Sequence, residues 1–362
     1  MKIGVLKCGV EPLVPIIPPL VQKLLTDGFE ISVEKGAGEQ SLYPDEQFSD
    51  VGASLLDRKE ALLNSDILLT VSSMQPGDLE MARKDAVLIG NFNSRIEDER
   101  IKELRESHLQ VFSLDLLPRS TLAQSMDVLS SLNSLAGYKA VIMAAEHFPG
   151  YFPMMTTAAG TIPPARVLIL GAGVAGLQAI ATARRLGASV EAFDVRTAVR
   201  EEVESLGAKF IEVEGSSEDQ SAGGYAIQQS KDYIQRQKDL IHEKALKADV
   251  IITTANVPGK KAPLLIEEKT VRHMQAGSVI VDLAAESGGN CEVSVNGDEI
   301  NYNGVTVIGD SRLHITMPKK ASRLYANNIY NFLRFLIKDK EQPISFDHEI
   351  VRNTYLGDLT TH

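Results

Sequence analysis

A glycine-rich turn between two apolar segments restricts the fold of this chain more than any other feature. The run VLIL at 167–170 leads directly into GAGVAG, and an alanine-rich helical segment follows to Gly187. In such a unit the first glycine permits a tight bend, the second lets a pyrophosphate approach the backbone, and the third lets helix and strand pack closely. The alternative is that these glycines serve only a tight turn in the protein core and bind no ligand. The sequence predicts a dinucleotide site at Gly171, Ala172, Gly173, Val174, Ala175 and Gly176.

Carboxylates follow two of the predicted strands. Asp194 ends the strand after the glycine turn, about 20 residues on, where a carboxylate accepts hydrogen bonds from ribose hydroxyls. A 2′-phosphate would meet a like charge there, which favours NAD over NADP. Arg196 leaves that preference open, because an arginine can hold a 2′-phosphate. Asp282 and Glu286 lie at another strand end, where they either face a ligand or cap the following glycine-rich turn.

Strand and helix patterns alternate along most of the chain. Strands are predicted at 2–6, 30–33, 66–71, 87–90, 111–112, 167–170, 189–193, 210–213, 250–253, 279–282 and 305–308. Helices are predicted at 14–25, 97–107, 125–147, 174–187, 198–206 and 324–337. The alternation indicates an α/β fold with two Rossmann-like, doubly wound domains, mainly parallel sheets, long linking helices and a cleft between the domains.

The helix at 324–337 sets the expected domain boundaries. It is amphipathic, with Tyr325, Ile329, Phe332, Leu333 and Leu336 on one face. We expect it to return to the first domain, which would comprise 1–125 and 320–362. A dinucleotide-binding domain would occupy 126–319.

The apolar stretch 167–183 has a membrane-spanning helix as an alternative interpretation. A spanning helix needs about 20 apolar residues. This stretch is shorter, has three glycines near its start, and has Arg166 and Arg184 at its ends. We therefore expect a buried strand followed by a buried helix.

Composition excludes several classes of function. The chain has 37 Lys and Arg against 48 Asp and Glu, a formal net charge of −11, which argues against nucleic-acid binding and direct docking on anionic lipid. Its two cysteines and seven histidines show no metal-ligand spacing, so we expect no metal site. P-loop and nucleophile-elbow motifs are absent from the sequence. The N-terminal residues lack the apolar core of a signal peptide, and we expect a cytoplasmic protein.

Polar residues cluster where the helix at 125–147 begins. Gln124, Asp127 and Ser130 recur at three-residue spacing and would share one helix face. An amide or carboxylate there can hydrogen-bond a nicotinamide carboxamide, and Arg119 can pair with Asp127 or touch a phosphate. The alternative is an ordinary helix start, because Thr121 and Gln124 fit a capping box and Asp127 complements the helix dipole.

Other candidates are isolated residues. Tyr225 follows two glycines inside the polar segment 214–232, which is too long for an ordinary connection and is expected to be either a mobile functional loop or partly disordered. Its aromatic ring is either a lid over a cofactor or a packing anchor. His147 and His314 are possible acids or bases, although single histidines are more often structural.

Five strings resemble one known family. They are RSTLAQSMDVLSSLNSLAGYKAVI at 119–142, FPMMTTAAGTIPPARVLILGAGVAGLQAIATARRLGASVEAFDVR at 152–196, AGGYA at 222–226, TTANVPGK at 253–260 and DLAAESGGNCE at 282–292. Together they are similar to the NAD(H)-binding component of proton-translocating NAD(P) transhydrogenase. The same superfamily includes alanine dehydrogenase, which shares the two-domain fold.

The resemblance implies roles for matching positions. The reacting, nicotinamide end of NAD(H) would be held by Arg119, Gln124, Asp127 and Ser130, with Tyr225 closing over it. The rest of the cofactor site would comprise the six turn residues with Asp194, Val195, Arg196, Thr254, Ala255, Asn256, Pro258 and Glu286.

The resemblance also implies a reaction and partners. Hydride would pass directly between NAD(H) on this chain and NADP(H) on a partner subunit, coupled to proton translocation by a membrane-embedded subunit. The chain would need no catalytic acid or base, because its task is to orient two cofactors. We expect a homodimer, attached through its partner subunits to the cytoplasmic face of the inner membrane.

The sequence departs from the superfamily at two places that bear on the alternatives. An alanine-type dehydrogenase needs cations and a histidine at positions that here read Leu13, Met74-Gln75-Pro76 and Gly90-Asn91-Phe92-Asn93. The stretch GDSRLHITMPK at 309–319 also differs from the family pattern. An NAD-dependent amino-acid dehydrogenase and a non-enzymatic NAD-binding regulator are the two alternative functions.

Overall fold

The chain divides into two compact units. The structure, a computed structural model, describes residues 1–358 apart from Ser73, 214–229, Pro258, Asp339, Glu341 and Pro343. Unit 1 comprises Met1–Leu132 and Ile315–His362, and unit 2 comprises Asn133–His314.

Unit 1 begins with a doubly wound parallel sheet. Its elements are β1 (Lys2–Val5), α1 (Pro18–Thr26), β2 (Glu30–Glu34), α2 (Asp45–Asp50), β3 (Ser54–Leu56), α3 (Arg58–Asn64), β4 (Ile67–Leu69), α4 (Asp78–Met81), β5 (Val87–Gly90), α5 (Glu99–Glu106), β6 (Gln110–Ser113) and α6 (Val128–His147), which continues into unit 2. The described strands pair in parallel in the order β3-β2-β1-β4-β5-β6. Two strand series therefore diverge between β1 and β4.

Unit 2 repeats this plan and adds an edge strand. Its elements are β7 (Met155–Thr157), β8 (Gly160–Ile162), β9 (Arg166–Leu170), α7 (Val174–Arg185), β10 (Ser189–Phe193), α8 (Arg200–Ser205), β11 (Lys209–Ile211), α9 (Lys231–Ala245), β12 (Val250–Thr253), α10 (Glu268–His273), β13 (Val279–Asp282), β14 (Asp298–Tyr302) and β15 (Val305–Gly309). The sheet order is β11-β10-β9-β12-β13-β15-β14, parallel except for β14 against β15. Strands β7 and β8 form a separate antiparallel hairpin. The predicted α/β fold with two Rossmann-like parallel sheets is confirmed.

The chain then returns to unit 1. Helix α11 (Pro318–Leu336) begins six residues before the predicted start, with proline at its first turn, and α12 (Glu349–Thr354) follows. The predicted apolar face of α11 is buried: Tyr325, Ile329, Phe332, Leu333 and Leu336. The burial of that face is confirmed.

The core of unit 2 lies on both faces of its sheet. Along β9, Val167 and Ile169 belong to one buried cluster, and Leu168 and Leu170 belong to another. A parallel sheet covered on both faces explains why these strands read as continuous apolar runs. Within the stretch 167–183, the strand is buried as predicted, whereas helix α7 is buried only in part and exposes Val174 at its start. Among the described helices, α6 alone is long and apolar enough to cross a membrane, which is weak grounds for a span.

Besides the start of α11, two more predicted helix starts are wrong. Helix α1 begins at Pro18 rather than Val14, because Val14 and Ile17 each precede a proline, and that position disfavours helical backbone. The predicted helix 125–147 is interrupted at Asp127, whose ψ of 94° lies outside the helical region. A 3₁₀ turn at Ala123–Met126 precedes this break, and α6 follows it.

Candidate functional site

The carboxyl ends of β9 and β12 lie side by side at the centre of the unit 2 sheet. One strand series runs outward from β9 and the other from β12. Ligands bind at this point in doubly wound sheets. Gly171 follows β9 and Thr254 follows β12, so the glycine turn lies at the switch point.

The three glycines of the turn have different surroundings. Gly171 has a φ of 101°, a conformation that side chains disfavour. A Cβ on Gly176 would lie 1.9 Å from the Gly171 oxygen, which leaves no room for a side chain. Gly173 has an ordinary φ of −79°, and a Cβ there would meet no atom of the described residues within 4 Å. Of the three, only Gly173 is not required by the protein's own packing or backbone.

The N-terminus of α7 is open to an anion. Gly173 is the N-cap residue, and among the described residues no side chain caps the helix. The first N–H groups of a helix lack partners within the helix and carry the positive end of its dipole. These groups, beside the open space at Gly173, fit the pyrophosphate of a dinucleotide.

Asp194 is buried directly behind the turn. Its Oδ2 accepts a hydrogen bond from the Ala172 N–H at 2.7 Å, which ties the end of β10 to the glycine turn. Its Oδ1 accepts from the Arg196 backbone N–H at 2.9 Å. The carboxylate therefore holds the turn in shape, in addition to its predicted role at the ribose.

Arg196 folds back onto the same carboxylate. Its Nε donates to Asp194 Oδ1 at 2.9 Å and its Nη2 donates to Oδ2 at 2.8 Å. This hydrogen bonding raises the pKa of Arg196, although burial opposes the rise. Both oxygens of Asp194 thus have two donors each, so ribose hydroxyls would have to replace the Arg196 side chain. Val195, between them, is half-buried against the core.

The segment after β12 forms the other side of the turn. Thr254 Oγ1 donates to the Gly171 oxygen at 3.0 Å, and its backbone N–H donates to Leu170. Ala255 is half-buried, and the exposed Asn256 donates to Ser287 Oγ at 3.2 Å. Pro258 lies outside the described residues.

Glu286 and Asp282 differ in environment. The Glu286 side chain is exposed, and its backbone N–H donates to Ser311 Oγ at 3.0 Å. Asp282 is fully buried and accepts from the N–H groups of Asn290 and Cys291, which supports the capping alternative for this residue. Asn290, also fully buried, bonds to the backbone of Ala255. Sequence reasoning missed Asn290, because nothing in its spacing marks it.

The polar residues at 119–130 do not form a helical stripe. Gln124 is exposed in the 3₁₀ turn, and Asp127 caps α6. The Asp127 carboxylate accepts from the Ser130 N–H at 2.9 Å and from Ser130 Oγ at 2.6 Å. The predicted common helix face is wrong, because the cap interrupts the helix between Gln124 and Ser130. The residue that caps α6 is therefore Asp127. Arg119 is exposed and lies nine residues before Val128, the first residue of α6.

Two asparagines of α11 hold this segment in place. Asn328 and Asn331 each donate a side-chain N–H to the Ser125 oxygen, at 2.9 Å. Ala123 and Met126 are buried on either side of that contact. The exposed Gln124 thus lies on an anchored turn. Sequence reasoning missed both asparagines, because they lie about 200 residues from Ser125.

The isolated candidates have structural contacts or lie outside the described residues. His147 contacts the Met143 oxygen through Nδ1 at 2.9 Å and Glu299 through Nε2 at 3.0 Å. His314 is buried at the end of unit 2. Tyr225 lies in the segment that the structure does not describe.

Family comparison extends over both units. The model for the N-terminal domain of alanine dehydrogenase/PNT matches residues 9–136, and the model for its C-terminal domain matches 140–360. The chain belongs to the alanine dehydrogenase/PNT family. The predicted superfamily is thereby confirmed.

Individual members of this family match nearly the whole chain. The protein named as the first part of NAD(P) transhydrogenase subunit alpha in Rickettsia prowazekii is 40% identical over 98% of this chain and 94% of its own length. The protein of the same name from Rhodospirillum rubrum is 44% identical over 89% and 86%. A crystal structure of transhydrogenase from Sinorhizobium meliloti superposes with a TM-score of 0.89, at 39% identity, covering 99% of this chain and 98% of that one. The prediction of an enzyme of the transhydrogenase type is confirmed.

Proposed function

We propose that the chain is the NAD(H)-binding subunit of a proton-translocating NAD(P) transhydrogenase. Hydride passes directly between NAD(H) bound here and NADP(H) bound on a partner subunit, and a membrane-embedded subunit couples the transfer to proton movement. The observation that carries the proposal is the match, at 40–44% identity and almost full length, to relatives named as the first part of the transhydrogenase alpha subunit.

The residues of unit 2 bind and orient the dinucleotide, which supplies or accepts the hydride when bound. The open N-terminus of α7 at Gly173 holds the pyrophosphate. Asp194 accepts from the ribose hydroxyls once the Arg196 side chain moves aside. Glu286 and the segment Thr254, Ala255, Asn256 and Pro258 complete the cofactor site.

The residues Arg119, Gln124, Asp127 and Ser130 orient the nicotinamide, and Tyr225 closes over it. Transfer between two bound cofactors needs no acid or base on this chain. It needs the donor and acceptor carbons within about 3–3.5 Å of each other. The anchored turn around Ser125 supports this role, because it fixes the backbone from which the Gln124 side chain extends.

The partners follow from the same proposal. The chain forms a homodimer and binds membrane-embedded and NADP(H)-binding subunits at the cytoplasmic face of the inner membrane. The hairpin β7–β8 supports the homodimer: Met155 is 37% exposed and Ile162 is 43% exposed, on strands whose residues are all exposed. A second copy of this chain would cover those apolar side chains.

An alanine-type dehydrogenase is the main competing function. Such an enzyme needs a cation and a histidine near its substrate, and Leu13 and Phe92 occupy two of those positions as buried apolar residues. Activity of the isolated protein with NAD and L-alanine would favour this alternative.

A direct assay tests the proposed function. The purified protein is mixed with the NADP(H)-binding component, and reduction of an NADP analogue by NADH is followed. We expect transfer that requires both proteins and falls when Gln124→Asn or Asp127→Asn is introduced. NADH binding without any transfer, unchanged by these substitutions, would instead indicate a non-enzymatic regulator.

A further inference from the structure

A fully buried carboxylate organises the loops beside the glycine turn. Asp282, at the carboxyl end of β13, is 0% exposed. Its oxygens accept hydrogen bonds from Thr253 Oγ1 (2.8 Å), Ala284 N (3.0 Å), Asn290 N (2.9 Å), Cys291 N (3.0 Å) and Ser294 Oγ (2.7 Å). A buried charge is tolerated only when such donors compensate its lost hydration. Asp282 therefore fixes the start of the 290–294 turn.

Asn290, which Asp282 holds through its backbone N–H, bonds in turn to the segment after β12. Its side chain is 0% exposed and clamps both polar groups of Ala255: Oδ1 accepts from the Ala255 N–H at 3.0 Å, and Nδ2 donates to the Ala255 oxygen at 2.8 Å. Nδ2 also donates to the Pro263 oxygen at 2.8 Å. A side-chain amide that pairs with both backbone groups of one residue sets the position and tilt of that residue.

The clamped residue adjoins the glycine turn. Thr254, which precedes it, donates through Oγ1 to the Gly171 oxygen at 3.0 Å. A Cβ on Gly171 would lie 3.0 Å from the Ala255 nitrogen. A shift of the Ala255 backbone would therefore displace the turn as well.

We propose that Asn290, held by Asp282, is a positioning residue for the dinucleotide site, acting through Ala255. This inference rests on the proposed function in that the ligand is NAD(H). Asn290 is buried and acts without touching the dinucleotide. It sets the backbone of the 254–257 segment against the glycine turn, and the affinity for NADH depends on that placement.

The experiment compares NADH affinity with fold stability. The chain has no tryptophan, so the fluorescence of NADH reports binding without interference from tryptophan emission. We expect Asn290→Ala to weaken NADH binding about tenfold, the effect of roughly one lost backbone anchor. Val279→Ala is the matched control, because it opens a cavity at the amino end of β13, away from Ala255. At a similar loss of melting temperature, the control should bind NADH as the unmutated protein does.

Each outcome decides the matter. Unchanged affinity in Asn290→Ala, or an equal loss in Val279→Ala, would overturn the positioning role. If Asn290→Ala does not fold, Asn290→Ser carries the same comparison, because it keeps an uncharged polar group in the buried site but is too short to bond both backbone groups of Ala255. Failure of the unmutated protein to bind NADH would overturn the proposed function and the positioning role together, whereas unchanged affinity in Asn290→Ala would overturn the positioning role alone.

Discussion

At the scale of single residues, two glycines of the turn, Gly173 and Gly176, lack a side chain for different reasons. Gly176 lacks one because the Gly171 oxygen occupies the space, whereas nothing in the described protein occupies the space at Gly173. The open space at Gly173, on a backbone of ordinary φ at the start of α7, leaves room for the close approach of a pyrophosphate that the proposed function requires.

Alanine substitutions at these two glycines should therefore have different effects. The one at Gly173 should weaken NADH binding, and the one at Gly176 should lower the stability of the fold. We expect Gly173→Ala to unfold at the same temperature as the unmutated protein and to bind NADH at least about tenfold more weakly, because its Cβ meets the pyrophosphate. Gly176→Ala should lose about 1–3 kcal/mol of unfolding free energy through overpacking. Thermal unfolding and NADH fluorescence check both. Full affinity in a folded Gly173→Ala would place the phosphates elsewhere.

The Asp194–Arg196 pair should tune the choice of dinucleotide. Asp194→Ala removes both the ribose acceptor and the bond to Ala172, so NADH binding should weaken and the preference over NADPH should shrink. Arg196→Ala removes the guanidinium that pairs with the Asp194 carboxylate but keeps the two backbone N–H donors, so the negative charge is less neutralised and discrimination against the 2′-phosphate should rise. Dissociation constants for both dinucleotides test this pair. A loss of discrimination in Arg196→Ala would show that Arg196, not Asp194, selects NADH.

Sequence reasoning located these residues because the glycine spacing and the carboxylate after β10 are local patterns. It did not show that Arg196 occupies the carboxylate, since side-chain conformation is not encoded in spacing. It also missed Asn290, which lies 35 residues from Ala255 and bonds to its backbone. Contacts from a side chain to a distant backbone leave no periodic trace in the sequence.

At the scale of elements, an ion pair joins the helices α9 and α10. Glu267, which precedes α10, accepts from Lys238 of α9 and from Lys269, each at 2.6 Å. These two hydrogen bonds lower the pKa of Glu267 from 4.5 to about 2. A carboxyl with a lowered pKa stabilises the fold when ionised, above its unfolded pKa, and that stability is lost as the pH falls towards 2.

The substitution Glu267→Gln should therefore lower the unfolding free energy by an amount that depends on pH. At neutral pH we expect it to lose about 1 kcal/mol of unfolding free energy, the scale of a partly exposed pair. The difference from the unmutated protein should shrink as the pH falls below about 4.5. Urea unfolding across that range measures it, with Glu106→Gln on the exposed face of α5 as the control. A difference that stays constant with pH would exclude the ion pair as its source.

Helix boundaries are harder to predict from this sequence than strands. The break at Asp127 escapes prediction because the segment 125–147 is helical in composition throughout, and a single cap residue decides where the helix begins. Helix α9 is also not predicted, because its polar sequence follows a long polar segment without a clear boundary. The buried parallel strands are easier to locate, because they are continuous apolar runs. The strands without a buried residue, β3, β7, β8 and β14, are not predicted.

At the scale of the whole molecule, both described parallel sheets have the strand order of a doubly wound fold. Alternating strands and helices predict this plan, because parallel strands need crossover connections. The family follows from motifs spread over the chain rather than from the glycine turn alone. The central claim is that this fold binds NAD(H) at the switch point of unit 2.

Titration of the unmutated protein with NADH, followed by the fluorescence of NADH itself, tests that claim most directly. We expect a saturable change that NAD displaces and that NADP, at the same concentration, does not. An emission that grows only in proportion to added NADH, or equal displacement by NADP, would contradict the account.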